Sequence, residues 1–392
     1  MKHFPLIFLT AFSLMLSLFS CNTKPSKNEA GQVNQDSLDH ISDSVEYAQT
    51  LLLRDAFQGR VMATIETTPV DANIDGDAAD DAAIWYDPIN PMNSKLIGTD
   101  KKGGLMVFNL SGKMLHYHKF GRMNNVDLRQ DVSLNGKKID IIISSNRSRN
   151  SLDVFTINAD GSLKEISNKP TIISKDTIDD VYGVCLYYHQ KNKKLFAFIN
   201  GTNGMVLQFE LYATAKGTVG AKRIRNYQFS SQVEGMVADD RLGFLYVGQE
   251  EAGIFKVEAN PDAAFRPVLI ENSSEANTQI KYDLEGISLY NSSDSTGYLI
   301  VSSQGNFSYA VFKRQADNDY LGSFVITEGT VDGVEETDGL DITSRPFGDL
   351  FPTGFLVVQD GFNYDGQSKK AQNFKLVDWK SISELIKQWE SN

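Results

Sequence analysis

One pattern constrains this chain more than any other. A polar residue, a glycine and an apolar run recur about every fifty residues, at Tyr182-Gly183-Val184, Glu234-Gly235-Met236, Glu285-Gly286-Ile287 and Asp338-Gly339-Leu340. Two less regular units precede them, around Asp81 and Asp127. After each comes a second apolar run: KLIGTD, KIDIIISSN, KLFAFING, FLYVGQE, YLIVSSQG and FLVVQDG. A third run then often carries an aromatic residue, as in LMVF, LDVF, VLQF, IFKV and YAVF. Short runs rich in β-branched and aromatic residues, broken by Gly, Asn and Asp, read as strands. Six such units of three to four strands predict an all-β fold, a six-bladed β-propeller. A parallel solenoid fits less well, because the units are long and rich in hairpins. Only two stretches have helical spacing: residues 37–57, before the propeller, and the C-terminal WKSISELIKQW.

The repeat also places the chemistry. The innermost strand of each propeller blade lines the channel, so polar residues at the same strand end converge on one face. Asp80, Asp81, Tyr182, Glu234, Glu285 and Asp338 share that register. The loops after the second strands add Lys101, Lys102, Asn146, Arg147, Thr202, Asn203, Glu250, Glu251, Gln304, Asn306, Gln359 and Asp360. Acids and glycines are common in turns anyway, but turn preference alone would scatter them rather than set one in each unit. Carboxylates this close cannot all stay charged without cations, since like charges raise one another's pKa.

The formal net charge of -12 argues against nucleic acid or an anionic membrane surface as a partner. It leaves room for an anionic substrate if divalent cations lie between it and the carboxylates. With five His and two Cys, a zinc or copper site is poorly supplied, whereas Asp and Glu suit Ca²⁺ or Mg²⁺. His116, His118 and His189 sit in strand or turn contexts and no Ser-His-Asp pattern stands out, so a phospho-enzyme on histidine is not expected. Cys185, inside VYGVCLYY, reads as a buried small hydrophobe.

Lys2 and His3 precede an apolar stretch from Phe4 to Phe19, and Leu18-Phe19-Ser20-Cys21 has the form of a lipobox. Residues 1–20 therefore read as a lipoprotein signal peptide, 21–59 as a tether anchored through lipid on Cys21, and 60–392 as the propeller domain. The expectation is an exported bacterial lipoprotein, monomeric, held in the periplasm or at the outer membrane or cell surface.

Several segments carry a family resemblance in order along the body: DDAAIWYDPINPMNSKLIGTDKKGGL, NNVDLR, LNGKKIDI with SSNRS, DDVYGV, QVEGMVADD, DLEGISLY, SSQGNFSYAVF, ETDGLDI, VVQDG and QNFKLV. Together they resemble the β-propeller (alkaline) phytases. The resemblance implies a six-bladed propeller that needs Ca²⁺ for stability and for hydrolysing phytate to lower inositol phosphates. It implies a reaction-centre calcium held by Asp80, Glu234, Glu250, Asp283, Glu285 and Asp338, with Tyr182 beside them. Asp81 and the Val126 region would match one structural calcium site, and Asp332 with Asp360 another. Lys101, Lys102 and Arg147 match phosphate-binding positions, and Asn124 and Asn125 a second phosphate pocket. The chain departs from the family pattern where NGTNGM puts Thr202 and Asn203 in place of a Lys-Glu pair, and where Ala82 replaces a proline. Competing expectations are a calcium-dependent propeller lactonase or phosphodiesterase, and a protein that captures phytate without cleaving it.

Overall fold

Five of the six innermost strands open with an irregularity, and that irregularity explains the repeated motif. The computed structural model describes residue 45 and residues 47–70, 76–134 and 136–391. The expected signal peptide, Cys21 and residues 22–38 lie outside the described residues. The strand pairing slips between Ala79 and Ala82, Met123 and Val126, Val181 and Val184, Val233 and Met236, and Leu284 and Ile287. These are β-bulges, which re-aim side chains and let a strand end bend. The skipped pairs are Asp80-Asp81, Asn124-Asn125, Tyr182-Gly183, Glu234-Gly235 and Glu285-Gly286. A side chain on the glycine would collide with the next blade: a Cβ on Gly183 would lie 2.0 Å from the Glu234 carbonyl oxygen, and one on Gly235 1.8 Å from that of Glu285. Glycine is required there by close backbone approach.

Six antiparallel sheets follow one another as blades. Blade 1 runs outward through Ala79–Trp85, Lys95–Asp100, Gly104–Asn109 and Met114–His118. Blade 2 uses Met123–Leu134, Lys137–Asn146, Ser151–Ile157 and Leu163–Glu165. Blade 3 uses Val181–His189, Lys194–Gly201, Met205–Ala213 and Val219–Gln228, and blade 4 Val233–Asp239, Phe244–Gln249, Gly253–Glu258 and Val268–Leu269. Blade 5 comprises Leu284–Asn291, Gly297–Ser303, Ser308–Lys313 and Tyr320–Thr327, with Gly59–Met62 added parallel at its outer edge. Blade 6 comprises Leu340–Thr343, Phe355–Asp360 and Asn373–Asp378, and its outer strand is Ile65–Glu66. The start of the body thus completes the last blade and closes the ring.

Apolar faces of neighbouring blades form the core. Between blades 2 and 3, for example, Ile141, Ile143, Val184, Leu186 and Ile199 pack together, all buried. Burying a side chain of this size is worth roughly 1.5–3 kcal/mol. On the channel side the blades are also joined by carboxylates that accept a neighbour's backbone N–H. Asp81 accepts from Val126 (3.0 Å), Asp127 from Leu186 (2.7 Å), Asp240 from Tyr188 (2.9 Å) and Asp341 from Ile84 (2.9 Å). Residues 47–55 are helical, within the stretch expected to be so, and the second helix spans Trp379–Ser391. It buries Trp379, Ile382 and Ile386, the one-sided spacing of a surface helix, and Trp379 stacks on Tyr290 at 3.8 Å between ring centroids. Cys185 is buried and unpaired, as its apolar run suggests. His118 Nε2 accepts the Leu163 N–H (3.0 Å), a structural role.

Candidate active site

The bulges bring side chains from separate blades to one mouth of the channel. Asn124 Nδ2 donates to Asp80 Oδ2 (3.0 Å) and to Glu234 Oε1 (2.8 Å), linking blades 1, 2 and 4. Lys101, from the loop after the second strand of blade 1, reaches Asp80 (2.9 Å), Asp338 (2.7 Å) and Asp77 (2.8 Å). Gln304 of blade 5 donates to Asp338 (2.7 Å). Arg147 donates through Nε and Nη2 to Asp180 (2.9 and 2.5 Å) and through Nη1 to Asn124 Oδ1 (3.2 Å), and its guanidinium lies 5.5 Å from the Tyr182 ring centroid. Of the expected residues, Asp80, Lys101, Asn124, Arg147, Tyr182, Glu234, Glu250, Glu285 and Asp338 are thus gathered in one neighbourhood. Asp283 is adjacent, half-buried, and feels Glu251 and Glu234. Lys102 is exposed, and its backbone N–H donates to Asp100 Oδ1 (2.7 Å).

The electrostatics are those of a buried cluster in which acids outnumber the bases. Burial pushes Asp80 well above the ordinary carboxylate range; Lys101 opposes this, and Glu234 and Asp338 reinforce it. Glu285 is driven up by burial and then by Glu234. Burial and Glu234 raise Glu250 to about 8, while Asp338 rises to about 6 through burial, restrained by Lys101. Tyr182 is pushed up by Glu234 and then by burial. Desolvation, rather than the mutual repulsion expected from sequence, is the larger cause for every one of these carboxyls.

Whether a cation suits this place is decided by the oxygens. Glu234, Glu250 and Glu285 each offer a carboxylate oxygen, all within 4.8 Å of one another, and all three residues are buried. Glu250 Oε1 and Glu285 Oε2 have no hydrogen-bond partner among the described residues. Unpaired buried carboxylate oxygens are costly, and an oxygen-seeking divalent ion satisfies them. The residues fit Ca²⁺.

The other two expected calcium positions look different. Asp81, one step below Asp80, accepts from the Val126 and Ala82 backbone N–H groups (3.0 and 2.9 Å) and from Asn125 (3.3 Å). It lines a channel cavity of about 580 Å³ rather than joining the mouth cluster. Asp332 and Asp360 are both ion-paired to the fully buried ammonium of Lys375, which also donates to the Gly333 carbonyl (3.0 Å). An internal lysine that sequence reasoning overlooked already meets much of their charge. Asn124 donates to Asp80, Glu234 and Asn125 Oδ1, while Asn125 donates to Asp81 and lines the channel cavity. Thr202 Oγ1 donates to Asp179 Oδ1 (2.9 Å) and Asn203 Nδ2 to the Thr177 carbonyl (3.1 Å). Sequence reasoning also overlooked Asp77, Asp180 and Glu336. Asp180 was visible as half of an acid pair just before the blade 3 inner strand, but no local rule gives its partner. Glu336 rises to about 7 through burial and its neighbours Asp338 and Asp77.

Comparison with known proteins gives the family. The model of the Phytase family matches residues 38–390. The chain is 42% identical over 331 residues to the 3-phytase of Bacillus subtilis strain 168, which covers 83% of this chain and 85% of that one. Among solved structures it is loosely similar to a β-propeller domain of Myceliophteria thermophila Cps50 (Swd1), at 10% identity and a TM-score of 0.42 over 76% of this chain and 82% of that one. A functionally unknown protein from Desulfotomaculum acetoxidans is similar at 14% identity and a TM-score of 0.40, over 62% of this chain and 70% of that one. The last two carry nothing about function. Six blades, one mouth of converging acids and bases, and a family match across nearly the whole body lead to one conclusion: the chain belongs to the phytase family of hydrolases.

Proposed function

We propose that this protein hydrolyses phytate to lower inositol phosphates and inorganic phosphate, and that it needs Ca²⁺ to do so. The observation that carries this reading is the buried trio Glu234, Glu250 and Glu285, with two unpartnered oxygens, beside Lys101 and Arg147. Asp80, Asp283 and Asp338, each close enough to feel or affect a member of the trio electrostatically, would complete an oxygen donor set of the size Ca²⁺ takes. Bound there, the ion would supply the positive charge that a phosphate ester needs for attack by water at neutral pH.

The chain's own groups do the rest. Lys101 and Arg147 are the cations it brings to the mouth, and Arg147 offers a planar fork matched to phosphate oxygens. Lys102, exposed at the same loop, adds a third positive charge for a polyanionic substrate. Tyr182 keeps its phenolic proton at neutral pH as an ordinary tyrosine does, and Glu234 and burial disfavour its loss further. It can therefore offer a hydrogen bond to an acceptor bound there. Asn124 holds Asp80 and Glu234 at fixed spacing.

The decisive experiment measures phosphate release from phytate by chelated protein, before and after Ca²⁺ is restored. Release that depends on Ca²⁺ is the expected result; undiminished release after exhaustive chelation sinks the metal requirement. A parallel assay on lactones and phosphodiesters separates the competing hydrolase activities.

The lipobox supports export and anchoring through Cys21. Cys21→Ser is expected to move the protein from the membrane fraction to the soluble fraction on fractionation. Unchanged partition of that variant would rule the anchor out.

A further inference from the structure

Arg147 is held unsymmetrically, and the asymmetry has a chemical meaning. A guanidinium carries five N–H donors: one on Nε and two on each terminal nitrogen. Asp180 Oδ2 takes the Nε–H (2.9 Å) and one N–H of Nη2 (2.5 Å), and Asn124 Oδ1 takes one of Nη1 (3.2 Å). Among the described residues one donor is left on each terminal nitrogen, and the Tyr182 ring covers one face at 5.5 Å. Two parallel donors on neighbouring nitrogens are what bidentate capture of a phosphate requires.

Asp180 can aim the fork because its own segment is tied down. It immediately precedes the inner strand Val181–His189. The Val181 N–H donates to Asn150 Oδ1 (3.0 Å), and Asn150 Nδ2 donates to the Ile178 carbonyl (2.8 Å). From the neighbouring loop, the Thr202 N–H donates to the Asp180 carbonyl (3.3 Å), Thr202 Oγ1 to Asp179 (2.9 Å) and Asn203 Nδ2 to the Thr177 carbonyl (3.1 Å). Blade 3 therefore reaches the site through its hold on an arginine of blade 2 as well as through Tyr182.

We propose that Asp180 is a positioning residue, fixing Arg147 with its free edge toward substrate phosphate and thereby setting affinity rather than the chemical step. This rests on the phytase reading of the site. Ordered charge-assisted bonds matter most when they are prepaid before binding. The test uses the full-length calcium-loaded protein and the variants Asp180→Ala, Asp180→Asn, Arg147→Ala and Asp180→Ala/Arg147→Ala. Asp180→Ala is expected to raise KM for phytate about tenfold with kcat within about twofold, the size of losing one charge-assisted anchor. Asp180→Asn keeps an acceptor oxygen and is expected to fall between. In the Arg147→Ala background, removing Asp180 should add no further loss, because it acts only through the arginine. An equal loss in both backgrounds, or a fall in kcat with KM unchanged, overturns the proposal. A crystal structure of Asp180→Ala gives a readout without turnover: a displaced guanidinium supports the role, and one left in place refutes it. Wild-type protein that releases no phosphate from phytate would overturn the phytase reading instead, while that structure still reports on the Asp180–Arg147 link.

Discussion

At the scale of single residues, Glu250 shows what burial does to this site. Its proton is held up to about pH 8 by desolvation and by Glu234. An acid whose folded pKa lies above its unfolded value binds protons more tightly in the folded chain, so its share of stability falls as pH rises between the two. Metal-free protein is therefore expected to lose stability as pH rises from the ordinary carboxylate range to about 8. Urea unfolding of chelated protein across that range checks this, and a midpoint that climbs with pH would contradict it. Glu285, driven up by the same causes, is the clearest single target. Glu285→Gln keeps the shape and removes the charge, so phosphate release is expected to drop by about 10²-fold or more, the usual scale for an electrostatic contribution at a reaction centre. The β circular dichroism should be unchanged. The residue types were legible from sequence because oxygen-rich, histidine-poor composition limits the choice of metal. The hold on Arg147 was not legible, since Asp180 looks like any turn acid.

At the scale of elements, the repeated polar-glycine step is a bulge seated against the next blade. Gly235→Ala would put a Cβ 1.8 Å from the Glu285 carbonyl oxygen, which is backbone and cannot swing aside. This variant is expected to lose several kcal/mol, beyond the ordinary range of single substitutions; a melting temperature close to wild type would refute the argument. The carboxylate-to-amide links between inner strands make a second test. Asp341 accepts from the Ile84 and Ile342 N–H groups and from Ser288 Oγ. Asp341→Ala strands those donors, at a cost of roughly 1–3 kcal/mol each when buried without a replacement, read from the urea midpoint. Sequence periodicity placed the inner strands and their polar starts. It said nothing of these links, because an acid in a strand looks the same whether it faces water or a neighbour's amide.

At the scale of the whole molecule, closure joins distant parts of the chain. Ile65–Glu66 pairs with Leu376 and Lys375, and Gly59–Met62 runs parallel to Phe324–Thr327. Removing residues through 66 strips the outer strand from blade 6 and opens an edge, and exposed edges aggregate. Such a truncation is expected to melt lower and to enlarge on size exclusion; a monomer with unchanged melting would show that closure does not need these strands. What the amino-acid order determined by itself was the period, the alternation that makes strands and the kinds of groups at their ends, since these depend on neighbours along the chain. What only the tertiary structure decided was which charges meet. Lys101 and Asp338 lie 237 residues apart and Arg54 and Glu335 281 apart, yet both pairs touch. Such pairing depends on how the blades close into a ring, and local spacing carries no trace of it.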